Sequence, residues 1–259
     1  IETLPKKIRI KRKINLRGKT IFPSFIECHT HSVFAGSRAE EFEMRNQGVS
    51  YLEIAERGGG ILSTVNQTRQ ESVRKLKKIS QQRISEFLRQ GVSTVEIKSG
   101  YGLDLDTELK MLKVARTLKG PQVITTFLGA HAKPKEYQTY SDYLDYIIRK
   151  VLPVLKSKKL SRRVDIFIEK GFFEVEESKK YLQKFQKQGF DIVIHANQLT
   201  NTGAADLAVE LKAKSADHVI CLSDYTIQNL AHSKTVAVLL PTADLYMKCE
   251  YPPARKMID

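Results

Sequence analysis

His29 and His31 stand at alternate positions just after the apolar pair Phe25-Ile26. Side chains two apart on a strand share one face, so both imidazoles can point the same way and hold one metal ion. Two hydrogen-bonded structural histidines would leave the same trace, since imidazole is an ordinary polar side chain as well as the commonest metal ligand. Single histidines close further strand-like runs: His131 after residues 125–130, His195 within 192–196, and His218 after Ser215-Ala216-Asp217. Four strand ends bearing imidazoles at one rim point to a catalytic divalent metal centre. His29, His31 and His195 are the expected ligands, because three imidazoles with one open position suit that role. His232, beside Ser233 and Lys234 at a helix end, reads as surface.

Such a rim needs strands that all run the same way. Residues 25–28, 92–98, 123–128, 164–169, 192–196, 216–221 and 236–240 read as strands, the first as a buried one. Helical patterns fill 104–118, 140–155, 175–188, 204–211 and 224–232. Upstream, 39–57 reads as a helix interrupted near Gly48, the glycines at 58–60 as a flexible or close-packed loop, and 63–89 as one long amphipathic helix. Alternating strands and helices imply right-handed βαβ units on a parallel sheet. The fold class is therefore α/β, a TIM-type (β/α)8 barrel that lacks its eighth strand, with its chemistry at the carboxyl ends. Residues 1–24 also look like strand material, with Ile8, Ile10, Ile14 and Leu16 interleaved with charges.

The 259 residues, 41% hydrophobic, can bury one large core. A net charge of +14, from 43 basic and 29 acidic side chains, would favour anionic partners. The basic residues cluster at 6–13 and on helical faces such as 74–78 and 156–159, without finger spacing or an aromatic RNA-binding strand. A solvated basic surface follows, with no nucleic acid as partner. Three cysteines without C-x-x-C spacing suggest a reduced, cytoplasmic protein. There is no signal-like segment and no apolar run near the roughly 18 residues of a membrane span.

Several segments carry a more specific likeness. Residues 28–42 (CHTHSVFAGSRAEEF), 58–65 (GGGILSTV), 96–104 (EIKSGYGLD), 126–132 (TFLGAHA), 195–199 (HANQL), 215–218 (SADH) and 252–256 (PPARK) closely resemble the imidazolonepropionases, the histidine-degradation branch of the amidohydrolase superfamily. The likeness runs in register from about Phe22 to the last residue. It implies a homodimeric enzyme that hydrolyses 4-imidazolone-5-propanoate to N-formimidoyl-L-glutamate. It also implies one zinc or iron ion on His29, His31, His195 and an Asp from the last barrel strand, with metal-bound hydroxide attacking the ring carbonyl. His218 is the expected catalytic residue, polarising the carbonyl or moving the proton. Arg38 would clamp the propionate carboxylate with two parallel donors. Tyr101, His131 and Gln198 would contact the polar atoms of the small-molecule substrate. Gln198 stands where the family has Glu or Gln, and an amide there can orient a ring nitrogen but cannot take a proton. Asn197, where Asp is usual, departs from the pattern.

The resemblance divides the chain into residues 1–22, a remnant of a small β-sandwich domain, and 23–259, an incomplete barrel of strands one to seven. A fragment of a protein of roughly 400 residues fits that division. Another amidohydrolase acting as a ring-amidine deaminase, an inactive truncated barrel, and a non-catalytic basic protein are the competing readings.

Overall fold

The computed structural model describes residues 9, 11–49, 53–54 and 59–259. Expectations for Ile8, Ile10 and parts of 39–57 lie outside the described residues. Seven strands run β1 (Phe25–Glu27), β2 (Val92–Lys98), β3 (Gln122–Ala130), β4 (Arg163–Ile168), β5 (Asp191–Ala196), β6 (Ser215–His218) and β7 (Val236–Val238). Each pairs in parallel with the next, in strict sequence order, and the sheet curls into a half-barrel.

Helices between the strands cover the outer face, as period-2 strands and period-3.6 helices require. Phe127, Val164, Ile166 and Ile194 of the sheet are buried in one cluster with Tyr181, Leu182 and Phe185 of the helix Val175–Lys187. A second cluster packs Val95 and Ile97 of β2 with Leu76, Ile84 and Met111. Each large apolar side chain so buried contributes roughly 1.5–3 kcal/mol.

The structure departs from the sequence reading at five places. β1 is an edge strand rather than a buried one: with only β2 beside it, Phe25 is 55% and Ile26 68% exposed. Residues 63–89 form two helices, Gly60–Gln70 and Val73–Arg89, because Glu71 turns extended and Ser72 caps the second by accepting the Lys75 N–H at 3.2 Å. The helix from Tyr140 runs on to Lys158 through a π-turn at Ile147–Val151, just before Pro153, which has no N–H to donate. β6 stops at His218 instead of residue 221, since His218 and Val219 take φ of 78° and 46°. Among the described residues no strand precedes Phe25, and Ile14 and Ile21 are exposed with no strand to pair against.

Candidate metal centre and substrate pocket

The carboxyl end of β1 is latched to β2. Thr30 Oγ1 donates to the Glu96 carbonyl at 2.7 Å, and the Lys98 N–H donates to the Thr30 carbonyl at 2.8 Å. That latch holds His29 and His31 over the barrel rim. Ring centroids lie 5.3 Å apart for His29 and His31, 4.5 Å for His29 and His195, and 5.4 Å for His31 and His195. His218 is 5.2 Å from both His29 and His195, and His131 stacks on His31 at 5.0 Å. All five predicted rim histidines therefore converge. Two triples, His29/His195/His218 and His31/His131/His195, place one ring nitrogen of each residue within 4.8 Å of the others. His195 belongs to both.

Beneath the imidazoles lies a buried ion lattice. The Lys98 ammonium is 2.8 Å from Asp165, 3.0 Å from Asp217 and 3.1 Å from Glu96. Asp217 Oδ2 is 2.7 Å from His29 Nδ1, and Asp165 Oδ2 is 2.9 Å from His195 Nδ1. Burial alone would lower the Lys98 pKa, but the three carboxylates outweigh it and hold it above the usual lysine range. Burial likewise opposes ionisation of Asp165, yet the charges of His195 and Lys98 keep its pKa below the usual carboxylate value. An ionised carboxylate only accepts, so His29 Nδ1 carries the hydrogen and Nε2 keeps a free lone pair.

The same burial suppresses protonation of His29, His31, His131 and His218. His29 and His31 sit well below the ordinary histidine pKa through burial, reinforced by Lys98 for His29 and by His131 for His31. Burial and then the neighbouring His195 push His131 and His218 down to about 3. His31 Nε2 faces His195 Nε2 at 3.3 Å, and the Nδ1 atoms of His31 and His218 are buried without a protein partner. Imidazole nitrogens converging in a buried pocket are a donor set that fits a divalent cation.

The histidines floor a cavity of about 290 Å³ whose walls include Arg38, Tyr101, Gln198 and Tyr246. Arg38 Nε donates to Thr64 Oγ1 at 2.9 Å, which leaves the buried Nη2 without a protein partner. Its guanidinium carbon lies 5.5 Å from the centre of the Tyr101 ring. Tyr246, on the helix Pro241–Met247, donates its hydroxyl to the Arg38 carbonyl at 3.3 Å. Phe42 stacks on the Tyr246 ring at 5.1 Å, the Arg45 guanidinium packs on it at 4.4 Å, and Lys248 Nζ reaches the Arg45 carbonyl at 3.1 Å. These contacts roof the pocket.

A curated imidazolonepropionase of Bdellovibrio bacteriovorus is 56% identical to the chain over 259 residues, a match covering 99% of this chain and 61% of that protein. One from Bacteroides thetaiotaomicron is 45% identical over 251 residues, covering 95% and 60%. This chain is an imidazolonepropionase homologue. It spans about 60% of the length of these curated relatives. No family model matches it. Guanine deaminase from C. acetobutylicum, solved with guanine bound, superposes with a TM-score of 0.68 at 14% identity, over 99% of this chain and 63% of that one. The shared feature is the amidohydrolase-like fold.

Measured against the imidazolonepropionase pattern, the Asn197 departure has a local explanation. Its side-chain amide donates to Asn201 Oδ1 at 2.8 Å and to the Cys221 carbonyl at 2.9 Å, and its oxygen accepts from the Ala205 N–H at 3.0 Å. An ionised aspartate could not make the two donations. Gln198 follows in a loop that Glu169 fixes by accepting the Leu199 N–H at 2.8 Å and the Thr200 N–H at 3.3 Å. His232 is exposed and bonded to its own helix, as expected.

Sequence reasoning missed Asp165 and Glu96 and gave Lys98 no partner. The signal was present, since Val95-Glu96-Ile97-Lys98 and Val164-Asp165-Ile166 put charges inside otherwise apolar strands, where they must be paired. Nothing local marked Thr64 or Tyr246.

Proposed function

We propose that this chain supplies the metal-binding barrel of an imidazolonepropionase and, in the whole protein, hydrolyses 4-imidazolone-5-propanoate to N-formimidoyl-L-glutamate. The reading is carried by one juxtaposition: a floor of converging imidazoles and a guanidinium with a free donor share one cavity of about 290 Å³, on a chain 56% identical to such an enzyme. His29, His31 and His195 are the proposed ligands of a zinc or iron ion. When bound, that cation would polarise the ring carbonyl and bring the pKa of a water towards neutrality.

The chain's own residues do the rest. Arg38 Nη2 offers a donor to the propionate carboxylate, and Thr64 fixes the plane of the guanidinium. The Tyr101 ring, 5.3 Å from His131, lines the same cavity as Gln198, and all three would contact the polar atoms of the substrate ring. His218, with Nδ1 free of protein partners, takes a proton from the attacking water as its oxygen bonds to the ring carbonyl carbon, and returns it to the leaving nitrogen. Opening the ring C–N bond then leaves the formimidoyl group on the new glutamate nitrogen.

In this proposal residues 23–259 are strands one to seven of the barrel, and 1–22 belong with a small β-sandwich domain. An eighth strand bringing an Asp ligand would lie between β1 and β7, where Phe25, Ile26 and Val236 expose apolar surface. Among the described residues no helix is long and apolar enough to cross a membrane; a cytoplasmic homodimer completes the reading.

The guanine deaminase likeness favours a second reading, deamination of a ring amidine. The test is to supply the natural protein with either substrate and follow imidazolone loss and ammonia release, before and after chelation. Imidazolone hydrolysis lost on chelation and restored by zinc is expected. Ammonia release from the amidine, with the imidazolone untouched, would select the deaminase.

A further inference from the structure

A carboxylate outside the metal site is buried without a counter-cation. Glu108, on the helix Leu105–Arg116, is 1% exposed, and among the described residues no Lys, Arg or His side chain pairs with it. Burying a charge without a partner is costly unless hydrogen bonds replace water. The loop between β2 and this helix supplies them. Oε1 accepts the N–H groups of Gly102 at 2.7 Å and Leu103 at 3.0 Å, while the Gly100 N–H lies 3.2 and 3.1 Å from the two oxygens.

Gly100 is the point at which this loop meets the site. Its φ of 106° is open to glycine, and a Cβ there would stand 2.8 Å from the Leu128 carbonyl and 3.0 Å from His131 Nδ1. Its own carbonyl oxygen is 3.0 Å from His131 Nδ1. A carbonyl only accepts, so that nitrogen carries the hydrogen and Nε2 is left as a lone pair on the pocket side. Tyr101 is the next residue in the same loop.

We infer that Glu108 is a positioning residue: by gripping the Gly100 peptide it fixes the His131 tautomer, and so makes His131 an acceptor for a substrate ring N–H. The inference rests on the substrate pocket proposed above. Its chain of cause is short, with carboxylate to Gly100 N–H, and Gly100 C=O to the imidazole.

Glu108→Gln isolates the effect. The retained oxygen keeps Gly102, Leu103 and its 3.2 Å contact with Gly100, whereas the new NH₂ replaces Oε2, the nearer acceptor at 3.1 Å, and sets a donor against the Gly100 N–H. The flipped amide would confront two N–H groups and is worse. Gly100→Ala is the second variant, since its Cβ presses on His131 directly. Nitrogen NMR of histidine-labelled protein, assigned with His131→Asn, reads the tautomer without turnover, and steady-state kinetics read the consequence.

The wild type should show His131 protonated at Nδ1. Both variants should show the Nε2-protonated form, with KM raised about tenfold, kcat within about threefold and metal content unchanged. A lower melting temperature with tautomer and KM unaltered would make Glu108 a fold-stabilising residue only and overturn the inference. So would an equal fall in kcat and metal content. A wild type inert towards the imidazolone would sink the proposed reaction alone, because the tautomer measurement stands without it.

Discussion

The floor and the wall of the pocket are built on opposite plans. The floor comes from strand ends, and its Lys98, Asp165 and Asp217 are buried and paired within about 3 Å. The wall comes from loops and short helices, and its Arg38 keeps a buried donor unspent. Strand ends suit the floor because three imidazoles must converge with little tolerance. Loops would suit the wall if, as proposed, it admits and releases a small acid.

Removing Lys98 should break the contrast hardest. Lys98→Met leaves three buried carboxylates with no shared cation, and should cost about 3–5 kcal/mol in urea unfolding of the metal-free protein. An unchanged midpoint would mean the lattice is not a unit. On the wall, Arg38→Ala should raise KM by the equivalent of about 1.5–3 kcal/mol, the worth of hydrogen bonds to a charged group, with kcat and melting temperature nearly constant. A fall in kcat with constant KM would place Arg38 in the chemistry instead.

Acid should loosen the floor. His131 and His218 are held at about 3, below the unfolded histidine value, so between those limits the unfolded chain binds protons that the folded one does not. Stability should therefore be full above pH ~6.5 and fall below it, by roughly 1.4 kcal/mol per pH unit for each histidine. Melting of the metal-free protein across that window measures the slope, and a flat profile would contradict the burial of both rings. The smallest effect belongs to neither region: Ser72→Ala removes one helix cap and should cost about 1 kcal/mol with KM and metal content untouched.

Much of this arrangement was legible in the sequence because period and punctuation are local. The alternation of strands and helices, and a histidine at each of four strand ends, needed no partner to be seen. Ser72 shows where local reading fell short: its hydroxyl could have announced a new helix, but the apolar periodicity on either side ran through it. The left-handed turn at His218 and Val219 carries no glycine, so nothing in residue type announced that β6 would end there. Asp165 illustrates the converse, a charge whose meaning depends on Lys98, which lies 67 residues earlier and two strands away. The exposure of Phe25 depends on what flanks β1, a property of topology rather than of its own residues.

The roof has a consequence for how the site comes into being. Tyr246 and Arg38 are 208 positions apart along the chain, and Lys248 and Arg45 are 203 apart. Contacts that close such long loops form after local ones, because the entropy of bringing the ends together must be met first. The imidazole cluster is itself closed across 164 to 188 positions, so floor and roof come together late, and the docking of the helix Pro241–Met247 narrows the approach of a cation to the ring nitrogens.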